Sequence, residues 1–166
     1  MVLALALALV AGNCAVATPV SPQIRTADCA TANLLRDGRE RSATFRRLVD
    51  RIGALNGIVY VTSGYVFRPG TRRLLPAALQ HRIVLAGSYR LLYITLSPAS
   101  GDRAIETLGH ELQHVVEVLE SGATSDAAVT AFFERTGIHA GSHVTETEAA
   151  LTAGRAVAKE LIRSRE

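Results

Sequence analysis

Tryptophan is absent from this 166-residue chain, and Tyr and Phe occur only four times each. With so few rings, the core has to be filled by Leu, Val, Ile and Ala. Lysine occurs once, at Lys159, so nearly all the positive charge is Arg. The basic cluster of Arg36, Arg39, Arg41, Arg46, Arg47 and Arg51 lacks the interleaved aromatics of a base-stacking surface. It reads as a solvated helix face, with no nucleic-acid partner. No apolar run approaches the roughly 20 residues that span a bilayer. What is present is a globular composition, 48% apolar and 20% charged, which excludes a disordered chain. The length suits one domain with a core of its own.

The apolar run Met1 to Val10 is followed by Ala15-Val16-Ala17, a small-residue cleavage signal. Residues 1–17 read as a secretory signal peptide, which implies an extracytoplasmic protein with no membrane span after processing. Cleavage there removes Cys14 and leaves Cys29 alone, so the fold is expected to hold without a disulfide. Residues 18–41 begin with Pro19 and Pro22 and read as an N-terminal leader. The domain itself is expected over 42–166.

Within it, Phe45, Leu48, Val49, Ile52 and Leu55 follow helical spacing, with Ser42 placed to cap and Asn56-Gly57 to stop. Ile58 to Thr62 reads as a strand. Residues 67–76 read as loop. Arg82 to Ala86 and Tyr89 to Leu96 predict a hairpin about Gly87-Ser88. Asp102 is placed to cap a long helix running to about Glu120. A shorter helix fits Ser125 to Arg135. A loop from Gly137 to Val144 holds His139 and His143, and a last helix is expected from near Thr145.

The long helix carries His110-Glu111-Leu112-Gln113-His114. Residues four apart on a helix share a face, about 6 Å apart along the axis. Two imidazoles so placed can share one tetrahedral zinc ion. Glu111 is then free to act as general base on a zinc-activated water rather than as a ligand. Both histidines project away from the stripe of Ile105, Leu108, Leu112, Val116 and Leu119, so a satisfied core histidine is not expected. The plainer account is a pair of solvated surface histidines; the motif inside an unbroken helix favours metal. Glu117 shares the histidine side, where it either orients His114 or is simply solvated. It stands where a metzincin has Gly, which excludes that subclass.

Leu108 to His114 resembles the active-site helix of the zincin metallopeptidases. A glutamate on a later helix, as in Glu146-Thr147-Glu148, is similar to the gluzincin pattern, and the size resembles the minigluzincins. The resemblance implies an α+β fold, with a short mixed sheet packed on the HExxH helix and a C-terminal glutamate helix. It further implies one catalytic Zn2+, a peptide or protein substrate, and an edge strand that holds extended peptide, for which Tyr89 to Leu96 is the candidate. The Asn-Glu pair usual in large gluzincins is missing. For the oxyanion, Tyr89, Tyr93, His139 and His143 are available and the sequence chooses none. For the third ligand, His139, His143, Glu146 and Glu148 are open. Helix phase favours Glu146: with Thr145 as N-cap, Glu148 closes a capping box, and Glu146 heads a stripe of Ala149, Ala150, Ala153, Val157 and Leu161. The expected function is an exported zinc-dependent peptidase. Its rival is a zincin-like metal-binding module without peptidase activity.

Overall fold

The computed structural model describes residues 21–26, 28–68, 70–139 and 145–166. The expected signal peptide and His143 lie outside these. In chain order the elements are β1 (Ile24–Thr26), α1 (Cys29–Arg41), α2 (Ala43–Ala54), β2 (Gly57–Ser63), β3 (Val66–Phe67), β4 (Leu74–Leu75), β5 (Ala77–Leu79), β6 (Val84–Ala86) and β7 (Tyr89–Leu96). Then follow α3 (Gly101–Glu120), α4 (Asp126–Thr136), β8 (Ile138–His139), β9 (Thr145–Glu146) and α5 (Glu148–Arg163). The class is α+β with a mixed sheet, as expected.

The sheet runs β1-β2-β7-β5, with β6 also paired to β7. The first two pairings are parallel and those of β5 and β6 are antiparallel. Strands buried on one face need alternation, and β2 and β7 supply it. Val59, Val61, Leu92, Ile94 and Leu96 turn inward and are buried. Against them pack Phe45, Ile52, Ile105, Leu108, Leu112 and Leu119 from α2 and α3, all fully buried. Each such aliphatic side chain contributes about 1.5–3 kcal/mol by leaving water, which is how a core poor in rings holds. On the outward side the paired Tyr60 and Tyr93 stack, with the guanidinium of Arg25 over one ring and that of Arg82 over the other.

Several expectations are corrected. Residues 24–41 are not a leader. Arg25 pairs with Tyr60 across β1 and β2, and Leu35 on α1 is buried in the core. The prolines that suggested a leader precede this strand. In the unprocessed chain Cys29 is disulfide-bonded, whereas an unpaired Cys29 is expected only once cleavage has removed Cys14. The other cysteine in the chain, Cys14, lies outside the described residues. The basic cluster is not simply solvated. Arg39 pairs with Asp50, Arg51 with Glu120, and Arg41 with Asp37 and Asp102. Asp102, expected to cap α3, is occupied by Arg41 and Arg165, and Ser100 takes the N-cap position. The loop at 67–76 contains the two-stranded ladder of β3 and β4. β7 is not an edge strand, because it is flanked by β2 on one side and by β5 and β6 on the other. The edge beside α3 is the short strand β5.

Candidate metal centre

α3 lies under the sheet because its apolar stripe does. Its opposite face meets β5, α4 and α5 rather than solvent. Gly109 lets α5 approach closely: a Cβ there would stand 2.9 Å from the Val157 side chain. On α5, Gly154 lies against His110, where a Cβ would sit 3.4 Å from the His110 Cβ. The histidines are therefore covered. His114 is buried, and its ring stands edge-on to Phe133 of α4 at 5.3 Å between centroids. This removes the account of two solvated surface histidines, and it equally corrects the expectation that neither would be a buried, hydrogen-bonded histidine, since His114 is both.

Glu146 reaches the same place from β9. Its Oε2 lies 2.8 Å from His110 Nε2 and 3.5 Å from His114 Nε2. Despite those distances the oxygen is buried and makes no properly directed hydrogen bond. One donor atom from each of His110, His114 and Glu146 lies within 4.8 Å of the other two. Two imidazole nitrogens and one carboxylate oxygen facing a common point form a set that could hold a metal ion.

Glu146 thus belongs to the cluster, but not for the reason its sequence context suggested. It lies in β9, which pairs with β8, and precedes α5 instead of riding on it. The N-cap is Thr147, whose side chain accepts from Ala150 N–H; Thr145 is not the cap. Glu148 is the exposed first residue of α5 and closes no capping box. The small-residue stripe is real from Ala150 through Ala153 and Val157 to Leu161, all buried, while Ala149 is exposed. The residue sits in the site because the junction between β9 and α5 turns it there.

Two further carboxylates complete the surroundings. Glu117 Oε2 accepts from His114 Nδ1–H at 3.1 Å, as its spacing suggested. Glu111 is buried, and its Oε2 accepts from Leu79 N–H of β5 at 2.7 Å. Burial drives the Glu111 pKa up, against the charges of His114 and His110 and the Leu79 bond. Burial would raise Glu146, but the two imidazoles beside it outweigh this and hold it at about 2. Burial would lower His114, yet Glu117 and Glu146, with the charge of Glu111, raise it to about 9. A charged imidazole beside a charged carboxylate is what a metal-free site of this kind adopts.

The cluster opens into a cavity of about 590 Å3. One wall is apolar, from Val66 and Phe67 through Leu75 to Leu79, and α5 supplies the other through Leu151, Gly154 and Arg155. His81 also lines it, stacked on Phe133 at 4.8 Å. Burial, followed by the charge of His114, lowers the His81 pKa and favours its neutral form. Sequence reasoning missed His81, because nothing local marks a histidine 29 positions before the motif. Tyr89 and Tyr93 do not line the cavity. His139 lies in β8, and His143 is outside the described residues. No protein-family model, no curated protein and no solved structure matches the chain.

Proposed function

We propose that the chain is an exported zinc-dependent peptidase of zincin type, with His110, His114 and Glu146 as ligands and Glu111 as general base. The observation that carries this reading is the buried Glu146 Oε2, which makes no hydrogen bond although two imidazole Nε2 atoms face it. A buried carboxylate oxygen that meets two imidazoles without a directed hydrogen bond is incompletely satisfied, and a cation at that point satisfies all three groups. Zinc bound there supplies Lewis acidity, lowering the pKa of a coordinated water towards 7.

The chain's own residues supply the rest. Leu79 N–H occupies Glu111 Oε2, which leaves Oε1 to accept a proton. Burial raises the proton affinity of that carboxylate and suits it to a base near neutral pH. The free side of β5 faces the cavity beside Glu111. Gln80 N–H donates to Tyr93 and Pro76 accepts from Ser97, so alternation turns Ala77 and Leu79 away from β7. An extended peptide can pair with Ala77 there and lie against the apolar wall. β5 thereby takes the substrate-holding role first given to Tyr89 to Leu96. The α3 motif and the later glutamate support likeness to the minigluzincins, although here the glutamate precedes its helix.

The test is metal content together with hydrolysis. Purified protein should carry about one zinc per chain, and His110→Ala or His114→Ala should lose it. Casein should be cleaved in a chelator-sensitive way, and Glu111→Gln should keep zinc but lose cleavage. Zinc retained in both histidine variants refutes the site. Zinc without any cleavage favours the rival, a metal-binding module.

A further inference from the structure

The residue after Glu146 has two bonding partners in the site. Thr147 is buried at the junction between β9 and α5. Its Oγ1 accepts from Ala150 N–H at 3.1 Å, which is ordinary N-capping. The same hydroxyl donates its proton to Glu117 Oε2 at 2.9 Å. That oxygen also accepts from His114 Nδ1–H at 3.1 Å. One carboxylate oxygen on α3 therefore holds a side chain from each of the two segments that build the donor cluster.

We propose that Glu117 and Thr147 form a clip that sets the distance between His114 and Glu146, with Thr147 as a positioning residue for the metal site. The inference rests on the metal-binding reading above. Its physical basis is the weakness of β9 as a support for the ligand, beside the packing of α5 on α3. β9 has two residues and, among the described residues, pairs only with β8, in a ladder separate from the main sheet. A two-stranded ribbon of that length does not fix a side chain against a neighbouring helix. Thr147 is bonded directly to Glu146 along the chain, so anchoring its hydroxyl to α3 anchors the ligand. Meanwhile Glu117 holds a proton of His114 on Nδ1, so Nε2, which faces the cluster, is the nitrogen left to give up its proton to a metal ion. The clip also explains the residue type. Asp would cap α5 as well as Thr does, but when ionised it has no proton to give Glu117.

The experiment is zinc affinity of the full chain, by competition with a chromogenic chelator at a temperature where circular dichroism shows each variant folded. Thr147→Val and Glu117→Ala should each weaken zinc binding by about 10–100-fold, and Thr147→Ser should restore wild-type affinity. Glu117→Ala leaves the cap bond to Ala150 in place, so its loss cannot come from capping and stays informative if Thr147→Val fails to fold. Because both act through one oxygen, the double variant should lose far less than the product of the single losses. Wild-type affinity in Thr147→Val, or losses that multiply, overturns the clip and leaves Thr147 a helix cap. Wild-type protein that binds no zinc at all overturns the metal reading itself, and the clip with it.

Discussion

At the scale of the residue, the two neighbouring glutamates Glu146 and Glu148 differ through backbone geometry rather than helix phase. Glu146 is partly buried, with Oε2 between two Nε2 atoms. Glu148 is exposed and makes no capping bond. We expect Glu146→Ala to abolish stoichiometric zinc, since it removes one of three ligands. Glu148→Ala should leave zinc content unchanged and cost no more than about 1 kcal/mol, the loss of an exposed carboxylate from the first turn of α5. Zinc analysis with a denaturant titration of both variants checks this, and equal zinc loss in the two would reject the assignment. The sequence narrowed the third ligand to a pair of glutamates and two histidines. It took Thr145 as the cap where the structure uses Thr147, since both offer the same hydroxyl at the head of the same helix.

At the scale of the element, the α3–α5 crossing governs the site. Two glycines lie along it, one on each helix: Gly109 packs against Val157 and Phe45, and Gly154 against His110. Gly109 is helical and needs no unusual backbone, so its value is space alone. Gly109→Ala would bring a methyl 2.9 Å from Val157 Cγ2 and 3.4 Å from Phe45 Cδ2. We expect a loss of about 1–3 kcal/mol from overpacking, larger than the helix propensity that Ala returns. The pair Gly109→Ala with Val157→Ala should recover part of that loss, measured by chemical denaturation. A stabilised single variant would show that the helices move apart freely. The motif helix itself was legible, since its stripe, length and end at Gly122 all follow from spacing. The short strands β5, β8 and β9 were not. Two or three residues carry no period, and each forms only because a partner distant in sequence or across a loop lies alongside.

At the scale of the whole molecule, the site makes global stability depend on pH, with a sign that zinc should reverse. In the metal-free protein the His114 pKa rises from 6.5 to about 9. A raised pKa contributes fully below 6.5 and is lost as pH climbs through about 9. Glu146 falls from 4.5 to about 2, so its contribution is full above 4.5 and lost as pH drops through about 2. Both operate together between 4.5 and 6.5. Chelated protein should therefore melt at a higher temperature at about pH 5.5 than at about pH 8.5. Zinc requires unprotonated imidazoles, so the stabilisation it adds should grow over the same interval. Scanning calorimetry with and without zinc checks both, and a chelated protein that gains stability towards the alkaline side would contradict the charged pair. The sequence by itself determined the long helix, the two histidines on one face of it, and the alternating strands that bury their inner sides. Those follow from local period and from side-chain chemistry. Tertiary structure alone decided that β5 and not β7 forms the edge, that β1 and α1 pack into the core, and that Glu146, Thr147 and His81 converge on α3. Strand order, helix crossing and the turn into α5 depend on contacts far apart along the chain, and local spacing carries no record of them.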